Sequence, residues 1–210
     1  MTRGKFIALE GGEGTGKSTQ SRLLLAALEA RGIAAEATRE PGGTPGAEAI
    51  RILLLDPPGD GWGARAEALL FAAARADHVE KRIQPALAAG KWIICDRFVD
   101  SSRAYQGGAG ELGDEAITTL HGIGSDGLRP DLTIVIDAPP ALLTERLAAR
   151  DADGSDAIGG RDADYHAAVR ARFLENAASD PASVVIDGDG TPTDVHHRIM
   201  AAIEPFLVQI

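Results

Sequence analysis

Gly11-Gly12-Glu13-Gly14-Thr15-Gly16-Lys17-Ser18 fills every fixed position of G-x-x-x-x-G-K-[ST], the phosphate-binding P-loop. The stretch has the neighbours that the motif needs. An apolar run, 6–9, precedes it, and a helical pattern with Leu23, Leu24, Leu25, Ala27 and Leu28 follows, stopping near Gly32. A strand, a glycine turn and a helix together make an anion site. The glycines let successive backbone N–H groups turn toward a polyphosphate, and the positive end of the helix dipole faces it. Lys17 has the reach for the outer phosphates, and the Ser18 hydroxyl is placed to hold Mg²⁺. A dinucleotide fingerprint fails on spacing, because Gly12-x-Gly14 is followed by Lys17 where a third glycine belongs.

Working outward, four short apolar runs (6–9, 92–95, 132–136 and 183–186) and a weaker one (34–38) predict five buried parallel strands. Helical segments are expected near 17–31, 46–55, 64–89, 112–122, 140–150, 162–178 and 193–208. The alternation predicts an α/β fold with a doubly wound parallel sheet and helices on both faces. Ligands then belong beyond the carboxyl ends of the strands. No repeat or long linker divides the chain, so one domain over 1–210 is expected. The polar, glycine-rich stretch 151–160 has the composition of a mobile lid, placed at about 150–162.

The chain has 210 residues, 44% hydrophobic and 25% charged, ordinary for a folded domain with a substantial core. Its net charge of −10 speaks against nucleic acid as the main partner. A small anion remains compatible, because a few local arginines outweigh distant acids. Cys95 is the single cysteine, and its neighbours Trp92, Ile93 and Ile94 mark it as a buried thiol. No apolar run has membrane-spanning length, and Met1-Thr2-Arg3-Gly4-Lys5 lacks the apolar stretch of a signal peptide; a cytoplasmic location is expected.

Other strand ends carry chemistry too. Asp96-Arg97 ends the run 92–95, where an acid beside a P-loop can hold Mg²⁺ or its waters and the arginine can meet phosphate oxygens. Asp137 competes for the metal role, but Ala138-Pro139-Pro140 reads as a helix start that Asp137 caps. Arg39 ends the second strand before Glu40-Pro41-Gly42-Gly43-Thr44, and Arg51 follows on the next helix. Arg39, Arg51 and Arg97 are thus expected to converge on one cleft. A surplus of arginines without an obvious base favours a phosphate monoester as acceptor. Its oxygen is already nucleophilic near neutral pH, with a second pKa of about 6, so the difficulty is repulsion between two anions. Phe71 and Arg75, four apart, share a helix face and suit a nucleobase pocket, although Phe71 alone also reads as a core residue. Ser101, Ser102, Tyr105 and Gln106 place polar groups near one turn, within reach of base and sugar.

These stretches together resemble the thymidylate kinase family, of the P-loop nucleoside monophosphate kinase fold, over nearly the whole chain. The specific parts are Glu10 through Ser18, Thr38-Arg-Glu-Pro-Gly-Gly-Thr44, Phe71-x-x-x-Arg75, Asp96-Arg97-Phe98 and Ser101-Ser102-x-x-Tyr105-Gln106-Gly107-Gly108. The second and last look like the bacterial branch. The resemblance implies ATP-dependent phosphorylation of dTMP to dTDP, a step toward dTTP, with Mg²⁺ as cofactor. It implies ATP phosphates on the loop Gly11, Gly12, Glu13, Gly14, Thr15, Gly16, Lys17 and Ser18 with Thr19 beside it, and Mg²⁺ at Ser18 and Asp96. The acceptor phosphate belongs on Arg39 and Arg97, with Arg51 in support. Phe71 stacks on thymine, Arg75 meets the base edge, and Ser102 and Gln106 contact the base. Tyr105 crowds the place of a ribose 2′-OH, and Glu13 lies near the sugar 3′-OH or the metal. Besides Lys17 and Arg97, a catalytic arginine is expected from the lid, at Arg150 or Arg161, with Arg146 behind them. A homodimer through long helices such as 64–89 is also implied. Two alternatives stand beside this reading. One is a monophosphate kinase for another base. The other is a GTP-dependent switch, which needs an Asn-Lys-x-Asp motif; Asn176, the only asparagine, is followed by Ala177.

Overall fold

A computed structural model of the chain describes residues 2–150 and 162–207, with side chains throughout except at 147–150. Strands β1 (Phe6–Glu10), β2 (Ala35–Arg39), β3 (Trp92–Asp96), β4 (Leu132–Asp137) and β5 (Ser183–Asp187) form one parallel sheet in the order β2-β3-β1-β4-β5. This is the expected α/β architecture. Side chains alternate along β1. Ile7 and Leu9 pack with Leu24 and Leu28 of helix α1 (Lys17–Glu29) and with Ile199 and Ile203 of α9 (Pro192–Leu207). Phe6 and Ala8 pack on the opposite side with Val79, Ile83 and Phe98. Burial on both faces explains why β1, β3 and β4 read as continuous apolar runs, whereas β2 and β5, expected to be buried too, are edge strands that stay mostly half-buried, with Val185 exposed. Each of β1, β2, β3 and β4 runs to an additional polar residue: Glu10, Arg39, Asp96 and Asp137. Register sets Leu9 and Arg39 on either side of Asp96, so these polar ends lie at one edge of the sheet.

The remaining helices are α2 (Pro45–Leu55), α3 (Ala64–His78), α4 (Gln84–Ala88), α5 (Val99–Ser102), α6 (Asp114–Ser125), α7 (Pro140–Arg150) and α8 (Ala163–Ser179). Three differ from the sequence expectation. The helix expected over 64–89 contains a widened π-turn at Val79–Ile83 between α3 and α4. Pro85 lies just beyond; its ring lacks an N–H and crowds the Lys81 carbonyl, and the wider turn accommodates it. The segment expected as polar groups near a turn is α5, continued by a π-turn at Arg103–Ala109. Packing explains it, since Ala104 and Tyr105 bury against Val169 and Phe173 of α8. The next helix, α6, begins at Asp114 because Gly113 has φ +83°. No helix among the described residues is long and apolar enough to cross a membrane.

Candidate active site

The P-loop joins β1 to α1. Gly11 has φ +133°, and a Cβ there would run into the carbonyl oxygen of Ile136 on β4. Gly14 and Gly16 also have positive φ, at +75° and +94°. Gly16 caps α1 without a side chain, so the first N–H groups of the helix have no side-chain partner. Thr15 Oγ1 donates to the Gly12 carbonyl at 3.0 Å and braces the loop. Lys17 Nζ donates to the carbonyls of Gly11 (3.1 Å) and Gly12 (2.7 Å). Burial first, then the Arg97 charge, lowers the Lys17 pKa to about 8. Ser18 Oγ donates to Asp96 Oδ2 at 2.6 Å, so the two expected metal ligands touch. A hydroxyl and a carboxylate on the phosphate loop suit Mg²⁺, a hard cation that takes few protein oxygens and keeps waters. The Asp137 carboxylate, the competing candidate, is instead paired with Arg170 Nε (2.6 Å) and Nη2 (2.7 Å).

Arg97 follows β3 with φ +69°, left-handed for a non-glycine residue. The turn closes around Glu10, the last residue of β1. Glu10 Oε1 accepts from the N–H groups of Phe98 (2.8 Å) and Ser101 (3.0 Å), and Oε2 accepts from Ser101 Oγ (2.6 Å). Burial, with Asp100 adding to it, raises the Glu10 pKa to about 7. Arg97 Nη1 donates to Ser101 Oγ (3.1 Å) and the Gly11 carbonyl (3.2 Å). Its Nη2 donates to Tyr105 Oη (3.3 Å) and forms a short ion pair with Glu13. The guanidinium also sits 5.1 Å from the Tyr105 ring centre. Arg39 pairs with Glu48, and Arg51 donates to the Pro41 carbonyl at 2.8 Å.

A second group of residues faces this one. Glu67, Phe71 and Arg75 recur every four residues on α3, and Ser102 and Gln106 are four apart on the helix opposite. The two rows are bonded rung by rung, with Phe71 between. Arg75 Nη2 donates to Ser102 Oγ at 2.9 Å and to the Phe98 carbonyl at 3.1 Å, while Gln106 Nε2 donates to Glu67 Oε1 at 2.8 Å. Behind Arg75 lies a buried chain. Arg75 Nε donates to Glu40 Oε2 (2.7 Å), His78 Nδ1 meets Glu40 Oε1 (3.0 Å), and His78 Nε2 meets Thr38 Oγ1 (2.8 Å). Glu40, His78 and Cys95 are close enough to suggest a metal centre. Their donors are already committed: both Glu40 oxygens and both His78 nitrogens are bonded, and the Cys95 thiol donates to the Arg97 carbonyl at 3.0 Å. The Arg75 charge opposes a cation there as well. Cys95 is buried, as its neighbours predict, and burial pushes its pKa well up.

One cleft of about 460 Å³ unites these parts. It is lined by Glu13, Gly14, Gly16, Lys17, Ser18 and Thr19 from the loop and α1, and by Asp96, Arg97, Ser102, Tyr105 and Gln106 from β3 and beyond. Arg39, Arg51, Phe71, Arg75 and Arg146 line it as well. The three arginines expected to converge therefore do so. Phe71 is only half-buried, unlike a core ring. Of the lid candidates, Arg161 and the side chain of Arg150 lie outside the described residues. Arg146 Nη2 donates to the carbonyls of Gly188 (3.2 Å) and Gly190 (3.4 Å). Sequence reasoning missed the braces Glu10, Glu40, Glu67 and His78. Only Glu67 carried a signal, standing four residues before Phe71 as Phe71 stands before Arg75.

Comparison with known proteins points the same way. The family model described as Thymidylate kinase matches residues 9–199. A protein of Rhizorhabdus wittichii named thymidylate kinase is 54% identical over 97% of this chain and 99% of its own length. Thymidylate kinases of Nitrobacter winogradskyi (47% identical, 96% of this chain and 88% of the relative) and Bradyrhizobium diazoefficiens (45%, 98% and 91%) are similar as well.

Proposed function

The chain belongs to the thymidylate kinase family and phosphorylates dTMP to dTDP with ATP as donor, and we propose how its residues carry that reaction. The ATP phosphates lie on the loop 11–18, against the N–H groups that open α1. Lys17 exchanges its loop carbonyls for phosphate oxygens. Ser18 and Asp96 hold Mg²⁺, which supplies neutralising charge to the transferring group when bound. The dTMP phosphate lies on Arg97 and Arg39, with Arg51 steadying the turn at Pro41. Its oxygen attacks without a protein base, since it is largely ionised near neutral pH. Incoming phosphate takes the place of the Glu13 carboxylate on Arg97, and Glu13 turns to the sugar 3′-OH. Phe71 stacks on thymine, Arg75, Ser102 and Gln106 meet its edge, and Tyr105 crowds the 2′ position.

A lid over about 150–162 supplies the last cation, from Arg150 or Arg161, and the whole of 1–210 works as one domain. We place the enzyme in the cytoplasm as a homodimer. The exposed side chains of Ile52, Leu53, Leu69 and Ile123 on neighbouring α2, α3 and α6 support a second copy there.

The observation that carries these assignments is the ion pair between Arg97 and Glu13, which ties the donor loop to the acceptor half of one cleft. Phe71→Ala tests them. Loss of a stacking ring should raise the KM for dTMP roughly tenfold or more and leave that for ATP within about twofold. Equal changes in both would make Phe71 a packing residue and remove the base pocket.

A further inference from the structure

The rungs between α3 and the helix opposite leave two atoms of opposite polarity for the cleft. Gln106 is 97% buried (3% exposed) and its amide could in principle present either end. Glu67 decides which. A carboxylate only accepts, so the Gln106 group facing it must be the NH₂, and Nε2 indeed donates to Glu67 Oε1 at 2.8 Å. Oε1 of Gln106 has no protein donor among the described residues and is left as an acceptor for the cleft that Gln106 lines. Arg75 is treated the same way. Its Nε is committed to Glu40 and its Nη2 to Ser102 and Phe98, which leaves Nη1 as a donor for the same cleft.

We propose that Glu67 is the specificity-determining positioning residue of this enzyme: by locking the Gln106 amide it makes the base pocket one donor beside one acceptor. That pair matches a pyrimidine whose ring presents a 4-oxo acceptor beside a 3-NH donor. It opposes a 4-amino pyrimidine, which shows a donor where Arg75 donates and an acceptor where Gln106 accepts. Rejection is strong because a mismatched base leaves buried polar groups unpaired. The proposal rests on the base-pocket reading above and deepens it. Glu67 itself touches no substrate and acts through Gln106.

The test is the ratio of kcat/KM for dTMP to that for dCMP, with the KM for ATP measured alongside. Glu67→Gln conserves shape but lets residue 67 donate, so the Gln106 amide is free to turn its NH₂ to the cleft. The ratio should fall by about tenfold, the scale of one mismatched hydrogen bond, with the KM for ATP within about twofold. The double variant Glu67→Gln, Gln106→Glu rebuilds the lock with polarity reversed: residue 67 donates and residue 106 only accepts. It should recover most of the ratio. A lowered ratio that the double variant fails to recover overturns the proposal, because Glu67 then acts only through packing. An unchanged ratio in Glu67→Gln, with a lowered one in Gln106→Leu, overturns the proposal while the base pocket stands. An unchanged ratio in Gln106→Leu overturns the base-pocket reading itself.

Discussion

Lys17 is held among carbonyls in a buried loop with Arg97 nearby, and its pKa is lowered to about 8. ATP brings negative charge to that loop and favours the charged ammonium. Below about pH 8 Lys17 is already protonated and ATP binds at full strength. Above it, binding must also take up a proton, so affinity falls with rising pH, by up to about tenfold per unit. Titrations of ATP binding from pH 7 to 9.5 should show this weakening, and a flat profile would contradict the assignment. Lys17 was legible in the sequence because its role follows from spacing within eight residues. The bracing roles of Glu10, Glu40 and Glu67 were not, because their partners lie 35 to 91 residues away along the chain, a relation that only the fold creates. Glu10 illustrates the difference: as a sequence residue it is the last of a strand, and in the fold it is the pin around which the Arg97 turn closes.

At the scale of elements, strand and helix order was readable because burial on both faces of the central strands β1, β3 and β4 writes continuous apolar runs. The helix over 99–109 was not. Ser101, Ser102, Gly107 and Gly108 are weak helix formers, and the segment is held by Tyr105 packing on Phe173, a tertiary contact. The turn after β2 is equally dependent on its surroundings. Gly43 has φ +92°, and a Cβ there would fall 2.5 Å from His78 Nε2 and 2.6 Å from Thr38 Oγ1, within the chain that backs Arg75. Gly32 has φ +73° and open space around it. Gly32→Ala should therefore cost about 1 kcal/mol of backbone strain, and Gly43→Ala about 3 kcal/mol, adding displacement of buried polar groups. Denaturant melts of the two variants check this. Equal losses would mean that the turn does not press on the His78 chain.

The whole molecule carries a net charge of −10, yet its reaction brings two anions together. The cleft resolves this locally by gathering Lys17, Arg39, Arg51, Arg75, Arg97 and Arg146 within one space. Fields from more distant surface acids are screened over about 8–10 Å of salt solution. Physical reading of the sequence reached a transfer between two phosphates, one on a base-bearing acceptor. The identity of the base came from family resemblance, because pocket polarity depends on which end of Gln106 faces inward. With these residues in their places, the chain transfers phosphate to dTMP in preference to other nucleoside monophosphates. A coupled assay at saturating ATP and Mg²⁺ with dTMP, dUMP, CMP, GMP and AMP tests it most directly. The highest kcat/KM is expected for dTMP, at least about a hundredfold above either purine; a higher value for AMP or GMP than for dTMP would overturn the assignment.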